Sequence, residues 1–286
     1  MAGVAEARPV DPLTATIELG DAERFAALYQ DTVGAPSVAQ LQERYLASES
    51  RAIAIFTPYR IIDAPNLLAN INANRADYTD AITRCLPLVK STQPDLRAIY
   101  LGFRGLLPER PLPRIAVVLV PGTVAGRRSR TCRCSALKFS AVSPRTKRHF
   151  ASSCAGFFAH ETVHTFQKVD ETGLELDYLL AVALSEGTAD YIAQIVTGET
   201  PDPARAAWAE ANASLVWREF AHDLAVVRDP RASEVSKNTA IRRWLHNADG
   251  APDGWPTELG YWVGMQIAAG YVANASDPHT AIRELL

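Results

Sequence analysis

The chain is poor in cysteine, with four in 286 residues, and in methionine, with two. Four cysteines in a chain of this length do not build a disulfide scaffold. Neither sign of charge dominates: 29 Lys and Arg stand against 32 Asp and Glu, a formal net charge of -3. That balance argues against a general polyanion binder, although charge can still cluster locally. No apolar run approaches the roughly 18 residues of a membrane-spanning helix, and no internal repeat is present. What is there is an ordinary globular composition, 48% hydrophobic and 21% charged, which excludes disorder, collagen and coiled coil as whole-chain readings. The length suits one large domain or two modest ones, with enough chain for a real core.

The first residues, MAGVAEARPVD, carry no basic segment and no apolar segment of a signal peptide. VAEA ahead of Arg8 nevertheless looks like the small-residue tail of one. Two readings stand: a cytoplasmic start as written, or a start that has lost its export signal, which would make the protein periplasmic or secreted. Residues 1–18 are read as an N-terminal extension on either account, and 19–286 as a single domain.

Helical periodicity marks Asp21–Gln30, Val38–Leu46, Pro65–Asn74, Tyr78–Val89 and Leu96–Leu106. Ile115–Val120 (IAVVLV), between Pro113 and Pro121, is the clearest strand pattern. Further helices are expected at about Gly156–Lys168, Leu176–Val196, Ala204–Val227, Thr239–His246 and Glu258–Ala273. The fold class predicted is mainly α with a small β-sheet (α+β), the sheet lying ahead of the Gly156 helix.

His160-Glu161-Thr162-Val163-His164 is an H-E-x-x-H motif. On a helix, residues four apart share one face, so both imidazoles can reach one metal ion. Imidazole nitrogen suits Zn2+, and a catalytic zinc needs three protein ligands and an open position. Glu161 sits where a general base must, beside the metal pair. Glu186 is the candidate third ligand, far enough past His164 for one turn and a returning antiparallel helix. Asp190 follows at i+4 on the face of Glu186 and can accept the second ring N–H of a ligating histidine. The flanks Leu184, Ala189, Tyr191 and Ile192 point to a buried helix, where isolated carboxylates are costly. His222, His246 and His279 stand alone and read as surface or cap residues. Trp208, Trp217 and Trp244 read as helix-packing residues.

HETVH followed by EGTAD resembles the gluzincin metallopeptidases. More narrowly, HETVHTFQ, LSEGTADYIA and GYWVGMQIAAGYV together look like a bacterial family of predicted Zn-dependent proteases related to gliding-motility lipoproteins. The resemblance implies a gluzincin-like architecture. His160, His164 and Glu186 would bind one Zn2+ per chain, with Glu161 as general base and Asp190 behind the ligands. It implies a hydrolase acting on a peptide or protein, and little about which.

Gly126–Ala155 is unlike its surroundings: eight Lys and Arg, no acid, and Cys132, Cys134 and Cys154. It could be a basic loop for nucleic acid, a second metal site built with His149, or a solvated loop. The reading preferred is a compensated frameshift. Codons permitted for Ser129–Gly156, read from one nucleotide earlier, can encode VADVPLLGLEILGGLPENQAAFRELLRR, an apolar strand, a turn and an amphipathic helix leading into His160.

The function expected is zinc-dependent peptide hydrolysis. The alternatives are a non-catalytic zinc-binding or partner-binding protein, and a nucleic-acid-associated protein using the basic stretch. No nucleic-acid partner is expected on the preferred reading. Tyr261 is the candidate donor to the oxyanion. It lies in a Gly-Tyr-Trp-Val-Gly run, whose Gly260 and Gly264 are expected to bring its helix close to the His160 helix.

Overall fold

The structure is a computed structural model that describes residues 10–48, 50–121, 147–168, 173, 175, 177–247 and 250–286, with the side chains of 59 and 147–154 outside the description. The N-terminal export-signal question and most of the anomalous basic stretch, Cys132 and Cys134 included, fall outside the described residues. Among the described residues the fold is mainly helical with one small sheet, and the chain divides into two compact units between Phe158 and Ala159.

In the first unit, α1 (Gly20–Asp31) and α2 (Val38–Leu41) follow a short strand β1 (Ile17–Glu18). Then come α3 (Arg51–Phe56), α4 (Ala64–Ala73), α5 (Arg75–Asp80), α6 (Leu86–Ser91) and α7 (Gln93–Leu106). Segments Gln42–Leu46, Thr57–Ile61 and Ala81–Cys85 are wound as π-helix. Phe25 packs edge-on to Tyr45 and stacks with Tyr78, and Leu41, Leu67, Leu96 and Phe103 are fully buried around them. Ala15 and Ile17 are buried as well, so this core takes in residues ahead of Leu19.

The strand expected over Ile115–Val120 is shorter. β2 covers Ile115–Ala116 and pairs in parallel with β1, Ile17 opposite Ile115 and Glu18 opposite Ala116. The reason is local competition for backbone groups. The Tyr45 hydroxyl donates to the Leu119 carbonyl at 2.8 Å and accepts from its N–H at 3.0 Å. A side chain thus replaces the next ladder rungs, while Val117–Leu119 remain buried.

α8 (Lys147–His164) begins nine residues before the expected Gly156, inside the basic stretch, and stops at His164 rather than Lys168. Its end is tightened by the Phe166 N–H bonding to the Val163 carbonyl. Phe158, Ala159, Thr162 and Val163 form the buried stripe of its last turns, with Phe166 buried just beyond its end, leaving His160, Glu161 and His164 on another face.

The second unit continues with α9 (Tyr178–Thr197), α10 (Pro203–Ala211), α11 (Ala213–Arg228), α12 (Glu234–Arg242), α13 (Leu259–Ala273) and α14 (Pro278–Glu284). The single helix expected over Ala204–Val227 is broken at Asn212, whose side-chain amide donates from Nδ2 to the Trp208 carbonyl and ends α10. The helix expected at Thr239–His246 starts earlier, because Ser233 caps the Ser236 N–H. Trp244 is fully buried, edge-on to Phe220 and Trp255, and forms the centre of a core with Leu179, Ala183, Val216 and Val263.

α9 is long and apolar enough, by length and composition, to cross a membrane, which the sequence reading did not anticipate. Its small residues are buried against α13. A Cβ placed on Gly264 would lie 1.7 Å from the Ala183 carbonyl oxygen, and one on Gly187 2.2 Å from the Gly264 backbone. Gly264 therefore brings α13 against the Glu186 helix, and Gly260 fits against Trp244 and Leu245; the approach expected between these glycines and the His160 helix is corrected accordingly. Gly264→Ala should destabilise the protein by about 3 kcal/mol or more, the top of the usual overpacking range. Gly270→Ala, on an open face of the same helix, should be neutral or stabilising by up to about 1 kcal/mol. Denaturant titration of the two variants measures the contrast.

Candidate metal centre

The site lies wholly within the second unit, with α8, α9, α10 and α13 each contributing. His160 and His164 are one turn apart on α8, and Glu186 and Asp190 one turn apart on α9. His160 Nε2 and His164 Nε2 are 2.9 Å apart, and Glu186 Oε2 lies 3.2 Å from the first and 3.4 Å from the second. Donor atoms about 2.0–2.1 Å from one tetrahedral zinc lie about 3.3 Å from each other, so the spacing fits one ion.

The other ring nitrogens are committed. His160 Nδ1 donates to Asp190 Oδ1 at 2.8 Å, and His164 Nδ1 to Gln167 Oε1 at 2.7 Å. With protons held on Nδ1, both rings turn an Nε2 lone pair toward the Glu186 carboxylate, a convergence of donors that a cation resolves. Charge points the same way. Three carboxylates, of Glu161, Glu186 and Asp190, meet the one guanidinium of Arg205 among the described side chains of the cluster, leaving two negative charges with neutral imidazoles. A divalent cation matches that excess.

Without a cation, protons take up part of this imbalance. Burial disfavours charge on His160, but its hydrogen bonds to Asp190 and Glu186 outweigh burial and push the imidazole up to about 10. His164 moves up for a similar reason, burial being outweighed mainly by its bond to Glu186. Burial raises Glu186, but the bonds it accepts from His160 and His164 hold it well below the usual carboxylate range. A metal ion held by these residues would compete with those protons, the ordinary coupling between metal affinity and pH.

Glu161 is half-buried beside both histidines, with no hydrogen-bond partner among the described residues. Burial raises its carboxyl, the two histidines oppose that, and the Glu186 charge adds to it. A carboxylate whose pKa is raised holds a proton more readily, as a general base must. Tyr261 lies on α13 with its ring stacked on that of His160, centroids 6.1 Å apart and planes within 6°. Burial first, then the Glu186 and Glu258 charges, push the Tyr261 phenol up, so it stays protonated and is a neutral donor.

All six residues singled out in the sequence thus gather in one place. Two others went unnoticed. Gln167 holds the His164 ring and donates from Nε2 to the Ser185 carbonyl at 2.8 Å, tying the end of α8 to α9. Its position three residues after His164, a candidate ligand, was the available signal. Arg205 pairs with Asp190 at 2.8 Å with both side chains buried, and no sequence pattern marks it. His222 and His246 lie away from the cluster, the first beside Asp223 and the second against Tyr178.

No protein-family model, curated protein or solved structure matches the chain.

Proposed function

We propose that the protein is a zinc-dependent peptidase of gluzincin type, with His160, His164 and Glu186 as the metal ligands. The observation that carries this reading is the meeting of three donor atoms within 3.4 Å, contributed by an H-E-x-x-H helix and a second helix. Both histidines have their remaining nitrogen fixed by a partner. Zinc bound there would act as a Lewis acid, polarising a scissile carbonyl and lowering the pKa of water to roughly 7.

The chain's own groups supply the rest. Glu161 takes the proton of the attacking water and delivers it to the leaving amine, so the peptide C–N bond breaks with nitrogen leaving as a neutral amine. Asp190 and Gln167 keep the two imidazoles in the tautomer that offers Nε2. Tyr261, protonated and beside the cluster, donates to the negative charge that develops on the former carbonyl oxygen.

Turnover of a mixed peptide substrate, lost on chelation and restored by zinc, tests the reading. Zinc bound at one per chain without any turnover would favour a non-catalytic zinc protein instead. Tyr261→Phe should lower kcat by about 10²-fold, the usual cost of one oxyanion donor, with zinc affinity and fold intact. An unchanged kcat would return Tyr261 to a packing role.

A further inference from the structure

We propose that Arg205 is a positioning residue for this centre, fixing His160 through Asp190 and Tyr261 through its ring and helix start; the inference rests on the zinc reading above. Arg205 is buried, and a guanidinium stays buried only with a compensating charge and satisfied donors. Its Nη2 donates to Asp190 Oδ2 at 2.8 Å and its Nη1 to the Glu258 carbonyl at 3.3 Å. Its Cζ lies 5.2 Å from the centre of the Tyr261 ring. The other Asp190 oxygen, Oδ1, takes the His160 proton, and Tyr261 stacks on His160.

These contacts close a ring of four side chains, His160, Asp190, Arg205 and Tyr261. Each touches two of the others, and each comes from a different helix, α8, α9, α10 and α13. With one oxygen bound to Arg205 and the other to His160, the Asp190 carboxylate cannot rotate, so the imidazole keeps Nε2 aimed at Glu186 and His164.

At the other end of Arg205, Glu258 adopts φ of +56°, the left-handed region that a side chain disfavours. It is held there by its N–H bonding to Asn247 Oδ1 at 2.7 Å, and by its carboxylate accepting from the His246 and Asn247 N–H groups. Such a conformation persists where surroundings over-determine it. Arg205 fixes the carbonyl of that residue, three positions before Tyr261. One cation thereby sets both the metal-ligand ring and the candidate oxyanion donor.

The test compares full-length wild type with Arg205→Gln, Arg205→Lys, Asp190→Asn and the double variant Asp190→Asn/Arg205→Gln. Circular dichroism checks folding, chelator competition gives zinc affinity, and the visible spectrum of the Co2+-substituted protein reports ligand geometry. Arg205→Gln should weaken zinc by about 10–100-fold and alter the cobalt spectrum. The double variant should match Asp190→Asn in zinc affinity within about twofold, because Arg205 bears on that affinity through its hydrogen bond to Asp190, its contact with Tyr261 bearing on turnover. Arg205→Lys keeps the cation but lacks the planar face over Tyr261. It should hold zinc nearly as wild type does while kcat falls by about 10²-fold at unchanged KM, the cost of a misplaced group.

A folded Arg205→Gln with wild-type zinc affinity and cobalt spectrum would overturn the inference, as would additive losses in the double variant. If Arg205→Gln does not fold, wild-type kcat in Arg205→Lys overturns it. Wild type that binds no zinc sinks the zinc reading and the inference together. Zinc-binding wild type with an indifferent Arg205→Gln sinks the inference alone.

Discussion

Glu161→Gln should lower kcat by about 10²–10⁴-fold, the contribution of a positioned general base, while zinc stays bound at one per chain. An amide has nearly the shape of the carboxylate but cannot carry a proton from water to amine. Glu161 donates no atom to the His160–His164–Glu186 cluster, so removing its charge leaves the three proposed ligands whole. Its carboxylate holds no hydrogen bond to another described residue, so the fold loses little. Burial already raises its pKa, which means that the neutral amide costs less desolvation than the carboxylate did. Single-turnover kinetics with zinc content measured on the same sample separates the two effects. Wild-type hydrolysis in Glu161→Gln would remove Glu161 from the mechanism.

The second large effect is on the metal itself. His160→Ala or His164→Ala should abolish stoichiometric zinc and turnover together. Either change leaves two of the three donors within reach of one another, fewer than a zinc site with an open position requires. The scaffold should survive. After His160→Ala, Asp190 still pairs with Arg205, so no buried carboxylate is left alone, and the expected loss is about 1–3 kcal/mol for the missing hydrogen bond. Asp190→Ala is a worse experiment than Asp190→Asn for the same reason. It would strand the Arg205 cation, at a cost of about 3–5 kcal/mol, and unfolding could then imitate a metal defect. Circular dichroism and metal analysis of His160→Ala and His164→Ala check both halves of the expectation.

The centre was largely legible because its logic is periodic. Two histidines at i and i+4, and two acids at i and i+4, can be read from spacing once each segment is taken as helix. Tyr261 could be found because glycines flank it, although those glycines turn out to pack against α9 and Trp244 rather than α8. Arg205 was not legible, since its partner lies on another helix and nothing local distinguishes a buried arginine from a solvated one. Gln167 was within the motif's reach but looks like an ordinary polar residue past a helix end.

In the fold, the long amphipathic segments were readable and their ends were not. β2 is cut short by a tyrosine distant in sequence. α10 and α11 are parted by one asparagine within an otherwise continuous helical pattern. α3 and α14 were missed because a six- and a seven-residue helix are too short for periodicity to register.

The three donor atoms of His160, His164 and Glu186 are proposed as a zinc site. Metal analysis by mass spectrometry, on protein stripped with chelator, reloaded with zinc and desalted, tests it most directly. One zinc per chain in wild type, none in His160→Ala or His164→Ala, and a strongly reduced content in Glu186→Ala is the result predicted. Wild type that retains no zinc after reloading, or histidine variants that retain it in full, would contradict the account.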